Sequence, residues 1–244
     1  IKGYVQESLF DENAMNDVIS NFMLPDVTIN ANIQEAEYKN WNEEWEEAGF
    51  ERININDSIT IYDARHDDGN GIASGISIGI ETKQAFGTGT HETTRMIVST
   101  LLNIDLKGKR VLDCGCGTGI LGIAASKLGA SEVVGYDIDE WSSENAIHNA
   151  ELNGVGNMKV MLGDASVLKS VEGKFDVVLA NINRNILLAD MPAFVSVMAD
   201  NSLLILSGFY ASDVDLLIEK ASSLGLSKID SKSDSERTCL VLKK

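Results

Sequence analysis

The sequence predicts an α/β fold built on a mainly parallel sheet with an antiparallel end. Three observations point to it. Short apolar runs at residues 110–112, 133–136 and 175–180 alternate with helical patterns over 120–128, 140–153 and 186–198. A glycine turn, Gly115-Cys116-Gly117-Thr118-Gly119, joins the first run to the helix after it. The last two runs, residues 226–230 and 238–242, have no helix between them, as an antiparallel pair allows and a parallel pair does not.

Composition narrows the class of partner. A chain of 244 residues, 44% apolar, can bury one good core with a small appendage. Its formal charge of -17 disfavours nonspecific binding to DNA or to an anionic membrane and suits a basic, lysine-rich protein. Cys114 and Cys116 are too close for an ordinary bridge, and with Cys239, His66, His91 and His148 they show no metal-ligand spacing. The expectation is a cytoplasmic, reducing compartment and no metal. No run of 18 apolar residues is present.

Taken in order, residues 1–36 read as a strand (Gly3 to Gln6), a helix (Glu12 to Phe22) capped by Asp11, and a strand through Val27, Ile29, Ala31 and Ile33. This piece is too short for a core of its own. It either belongs to a small domain whose start precedes Ile1 or packs on the main body. Residues 37–51 belong to an acidic linker helix with the stripe Tyr38, Trp41, Trp45 and Ala48. The main domain, 52–244, begins with strands around residues 53–61 and 76–80. The Asp67–Gly71 turn cluster between them suggests antiparallel pairing.

A flexible loop, Gly87 and Gly89 after Phe86, then leads to a helix starting at Thr90 or His91. Thr93 and Thr94 lie in its first turn, where unpaired amides and hydroxyls suit an anion, although simple capping explains them equally. The strands of the main sheet end on Asp113, Asp137, Asp164 and Asn181. Ligands of open α/β sheets bind over such carboxyl ends. Pro192 predicts a kink or boundary in the helix that begins near Ile186.

This pattern reads as a nucleoside site. Asp137 suits ribose hydroxyls, Asp164 or a neighbouring amide suits the adenine edge, and Gly115 and Gly117 leave room for the rest of the ligand. The last loop glycine comes one residue earlier than in the dinucleotide GxGxxG. Asp113 would repel a diphosphate but could anchor an ammonium group. Both features favour S-adenosylmethionine over NAD. Asp139 reads equally as a surface strand end, and His148 as a solvent-side helix residue.

LDCGCGTG with YDID, GDA and a strand ending in ANIN resembles the class I (Rossmann-like) methyltransferases that use S-adenosylmethionine. AFGTGTHETT before LDCGCGTGILGIAASKLGA, then ANINRNILL and LSGFY, more specifically resembles the bacterial methyltransferases of the large-subunit stalk-base ribosomal protein. The similarity runs over about residues 35–244. It implies a seven-stranded sheet and methylation of lysine ε-amines and the amino-terminal amine of one ribosomal protein. It also implies cofactor binding by Thr94, Gly115, Asp137 and Asn181, with a small substrate-recognition domain of which residues 1–36 would be the second half. Phe86, Asp113, Gly117 and Asp164 complete the expected cofactor set. ETKQ stands where many members carry an acid-Pro-Gly type segment, which bears on loop stiffness and substrate fit.

Asn181 is the expected acceptor-positioning catalytic residue, with His91 a lesser candidate for proton handling. The protein is expected to act as a monomer. Two alternatives differ in class: a methyltransferase for another protein or a nucleic acid, and a non-catalytic ribosome-assembly module. Enzymes that methylate planar amide or base nitrogens often carry Pro-Pro-aromatic after this asparagine. Ile182-Asn183-Arg184 follows here, which argues against the first.

Overall fold

The computed structural model describes residues 10–22, 29–34, 49–72, 75–82 and 87–244. The chain divides into two compact units, residues 1–40 and 41–244. The expected strand at 3–6, Val27, and the Tyr38, Trp41, Trp45 and Ala48 stripe lie outside the described residues.

In the first unit, α1 (Glu12–Ser20) begins where expected. Asp11 Oδ1 accepts from the amides of Asn13 and Ala14 at 2.9 and 3.0 Å. This satisfies two of the donors a helix start leaves open. Residues 29–34 form no strand, contrary to the alternation of Ile29, Ala31 and Ile33. Alternation alone does not make a strand, because the backbone also needs a neighbour to complete its ladder.

The second unit opens with a three-stranded sheet, β1 (Ile53–Ile55), β2 (Ile59–Asp63) and β3 (Ile76–Ile80), in that order. β1 and β2 form the expected antiparallel pair, but β3 runs parallel to β2. Between Asp63 and Ile76 the chain returns to the starting end of the sheet, so the Asp67–Gly71 cluster is a fold within a return loop and not a hairpin turn. Arg52 grips that cluster, with Nε and Nη2 donating to the Asp67 carboxylate at 2.5 and 2.6 Å.

The main sheet has seven strands. They are β4 (Arg110–Cys114), β5 (Glu132–Asp137), β6 (Met158–Leu162), β7 (Phe175–Asn181), β8 (Met198–Tyr210), β9 (Ser227–Asp234) and β10 (Arg237–Lys243). Their order is β6-β5-β4-β7-β8-β10-β9. The first five are mutually parallel, whereas β10 is antiparallel to β8 and β9 to β10, as the sequence predicts. Strands in the middle are apolar on both faces because both are covered. Thus Val111, Val177, Leu179, Cys239 and Val241 enter one core, and Leu112, Val178, Ala180, Leu240 and Leu242 the other.

The helices are α2 (Glu92–Leu101), α3 (Ile120–Lys127), α4 (Glu140–Leu152), α5 (Arg184–Val197) and α6 (Val214–Ser223), with a 3-10 turn at Ala165–Ser170. α5 runs on through Pro192, so the expected boundary is absent. Pro192 is exposed, and its ring and missing donor are accommodated on the solvent side of the helix. The outer edge of β3 is closed by side chains of α4. The Asn153 amide exchanges two hydrogen bonds with the backbone of Gly79, at 3.0 and 2.7 Å. Asn149 does the same two residues on at Glu81, at 2.9 and 3.0 Å. Asparagine amides thereby replace a missing neighbouring strand.

Candidate active site

The crossovers around β4 place one cavity at the carboxyl edge of the sheet. Its volume is about 580 Å³, within the range that small-molecule ligands occupy. Gly115 and Gly117 form one wall, Asp137 and Asp164 a second, Asn181, Ile182 and Ile186 a third, and Thr94 reaches it from α2. Six of the eight predicted cofactor residues therefore meet on one surface. Phe86 lies outside the described residues.

The glycine loop is held from within. The amides of Gly115 and Cys116 both donate to Tyr136 O, at 2.8 and 3.0 Å, and that of Gly119 donates to Cys116 O at 2.8 Å. Gly117 N donates to Asp137 Oδ2 at 2.9 Å. A phosphate-binding loop needs such amides turned outward, so this loop is not built for a diphosphate. Asp137 also accepts from Asp139 N at 3.1 Å through Oδ1, and each oxygen keeps acceptor capacity for a hydroxyl. The described residues lining the cavity include three carboxylates, Asp137, Asp164 and Asp190, and no lysine, arginine or histidine. That charge suits a cationic ligand.

Asp164 caps the 3-10 turn by accepting from Ser166 N at 2.9 Å, and hydrogen bonding from Ser166 holds its carboxyl below the usual range. Asp190 is shifted upward, mainly by desolvation and further by Asp164. Asn181 ends β7. Its Nδ2 donates to Thr94 Oγ1 at 3.3 Å, while its Oδ1 is buried without a donor. A buried acceptor left this way costs about 1–3 kcal/mol, so the site favours a ligand that brings an N–H.

Asp113 departs from its expected position. It lies one residue before the end of β4 but does not line the cavity, and only 1% of it is exposed. Oδ2 accepts from Gly122 N in α3 at 2.9 Å, and Oδ1 has no partner. Strand alternation turns this side chain towards α3, away from the loop surface. Burial raises its carboxyl to about 7, with the Gly122 amide opposing and the Asp137 charge reinforcing.

His91 and Asp139 act as helix caps. His91 Nδ1 takes the Thr93 amide at 3.3 Å, and Asp139 Oδ2 takes the Ser142 amide at 2.8 Å. His148 is paired, its Nε2 lying 2.8 Å from Glu81 Oε2. The sequence reading missed Asn149, which is fully buried and donates to Thr118 O at 3.0 Å besides its two bonds to Glu81. It ties the glycine loop to the segment entering the AFGTGT stretch, and Thr118 Oγ1 adds a bond to Gly87 O at 2.6 Å. The signal was the Asn145, Asn149, Asn153 spacing, a polar stripe on an otherwise core-facing side.

This sheet order, with its cavity over β4 and β5, is that of a class I methyltransferase. The family model described as ribosomal protein L11 methyltransferase (PrmA) matches residues 1–244, and the chain belongs to that family. It is 50% identical over 226 residues to the ribosomal protein L11 methyltransferase of Phocaeicola vulgatus, covering 93% of this chain and 79% of the relative. To that of Bacteroides thetaiotaomicron it is 44% identical over 232 residues, covering 95% and 82%. Among solved structures, the ribosomal protein L11 methylase of Lactobacillus delbrueckii subsp. bulgaricus superposes with a TM-score of 0.72 at 28% identity, over 79% of this chain and 98% of that one. The magnesium protoporphyrin IX methyltransferase of Synechocystis PCC 6803, solved with bound S-adenosylmethionine, gives a TM-score of 0.50 at 25% identity, over 61% and 76%.

Proposed function

We propose that this chain transfers methyl groups from S-adenosylmethionine to lysine side-chain amines and the amino-terminal amine of ribosomal protein L11, acting in the cytoplasm without a metal. Family membership supports the substrate. The observation that carries the cofactor is the cavity's charge: three carboxylates, no cationic side chain among the described lining residues, and a glycine loop whose amides are already engaged. S-adenosylmethionine brings a sulfonium and an ammonium against one carboxylate, which this wall complements.

When bound, S-adenosylmethionine supplies an electrophilic methyl group on sulfur. Asp137 would accept the ribose hydroxyls with the acceptor capacity its backbone bonds leave. Gly115 and Gly117 admit the ligand's amino-acid portion close to the backbone. Asn181 Oδ1 accepts an N–H of the incoming amine and so orients its lone pair. A free lysine has a pKa of about 10.4 and must lose its proton before attack. Ile182 and Ile186 line the wall beside Asn181, and desolvation against them favours the neutral amine. The surface acidity steers a basic protein to the site. Rate enhancement then comes mainly from proximity and orientation.

The test is transfer of labelled methyl from S-adenosylmethionine to purified large-subunit ribosomal proteins, followed by mass mapping. Label confined to amines of ribosomal protein L11 supports the reading. Label in another protein or in RNA, or none, refutes it.

A further inference from the structure

The late LSGFY motif plays no part in the site described above, yet it touches the acceptor wall at one point. Gly208 lies near the end of β8, one residue beyond the Asn181–Ser207 pair that closes the β7–β8 ladder. Its φ is +92°. A Cβ there would lie 2.5 Å from Ile182 O, 2.8 Å from Ile182 N and 2.9 Å from Ile182 C. These are backbone atoms, with no rotamer by which to move aside. On the other side, a Cβ at Gly115 would lie 2.5 Å from Ile182 Cγ2. Ile182 is thus seated between two glycines, its backbone on β8 and its side chain on the glycine loop.

From this seating we infer that Gly208 is a positioning residue for methyl transfer. Through the Ile182 backbone it sets where the adjacent Asn181 stands relative to the glycine loop. The inference rests on the proposed function and adds a residue to it. Any side chain at 208 lifts Ile182 by several tenths of an ångström and carries Asn181 with it. Gly115 touches the flexible Ile182 side chain, but Asp137 and Gly117, which carry most of the cofactor binding, are fixed to each other by their own hydrogen bond and do not rest on β8. The disturbance therefore falls on the acceptor.

The experiment compares Gly208→Ala with Gly208→Asn, and with Leu226→Ala as a control for lost stability. Leu226 is buried in the core on one face of the sheet and lies outside the cavity. For Gly208→Ala, kcat should fall by about tenfold to a hundredfold, as misplacement of a reacting group by a fraction of an ångström to an ångström implies. The Kd for S-adenosylhomocysteine, measured by calorimetry, should change far less than kcat, and the Asn181 side-chain amide resonances should shift. Leu226→Ala should lower Tm and leave kcat, Kd and those resonances in place. An unchanged kcat in Gly208→Ala, or a loss of kcat matched by an equal loss of affinity, overturns the inference. If Gly208→Ala does not fold, Gly208→Asn decides, because asparagine tolerates positive φ better than alanine while its Cβ meets the same Ile182 backbone atoms: it should lower kcat with far less effect on product affinity, and full turnover overturns the claim. A wild type that transfers no methyl overturns the proposed function instead, and the Asn181 resonances of Gly208→Ala still decide the positioning.

Discussion

Replacing Asp113 with asparagine should change how stability depends on pH, and the structure gives the sign. In the folded protein this carboxyl rises from the usual 3.8 to about 7, chiefly through burial. The unfolded chain releases its proton near the ordinary value, so between about 4 and 7 the folded state holds a proton that the unfolded state has lost. Stability from this group is therefore full below about 4, falls as pH rises, and is gone above about 7. At about 1.36 kcal/mol per pH decade, the loss amounts to roughly 4 kcal/mol as an upper figure. The amide of Asp113→Asn cannot ionise, so the variant keeps its relative stability across this window. Denaturant melts of both proteins at intervals from about pH 4.5 to 8 should show the difference in unfolding free energy moving in the variant's favour by several kcal/mol, most steeply between about pH 5 and 7. Other groups titrate alike in both proteins and cancel. A difference independent of pH, or one that moves towards wild type as pH rises, would refute the account of Asp113 as a buried, protonated residue.

Three further outcomes follow from the same geometry. Asp137→Ala removes the acceptor of Gly117 N and the proposed acceptor of the ligand's ribose, and should weaken S-adenosylmethionine binding by about a hundredfold in calorimetry, as loss of charge-assisted hydrogen bonds of about 1.5–3 kcal/mol predicts. Asn149→Ala strands three backbone groups at 2.9–3.0 Å and should cost roughly 3 kcal/mol, lowering Tm by about 6–12 °C in a thermal melt. An unchanged Tm would deny it the tie between β3 and the glycine loop. Cys114 and Cys116 are buried, and desolvation pushes both thiols well up, so alkylation of the folded protein at about pH 8 should label neither until it unfolds.

The parallel sheet was legible because buried strands announce themselves: FDVVLA and VLDC are apolar on both faces, and each ends in a polar residue at the ligand edge. The cavity residues followed from that edge. Less visible was whatever depends on long-range partners. The alternation of Ile76, Ile78 and Ile80 marks a strand but carries no direction, so β3's parallel pairing was out of reach. Asp113 looked like a ligand contact from its place at a strand end, and only the pleat shows its side chain turned to Gly122. Pro192 does not end its helix, because the cost of a proline depends on which side of the helix it faces. Asn149 reads as an ordinary polar helix residue until the edge of β3 is set beside it.

The central claim is that one cavity holds the methyl donor and that Asn181 places the amine against it. Asn181→Ala tests this most directly, with turnover on ribosomal protein L11 and S-adenosylmethionine affinity measured on the same preparation. The account predicts a loss of kcat of at least about a hundredfold, as removal of a positioning contact implies, with cofactor affinity changed far less. Full turnover in the variant, or equal losses of turnover and affinity, would contradict it.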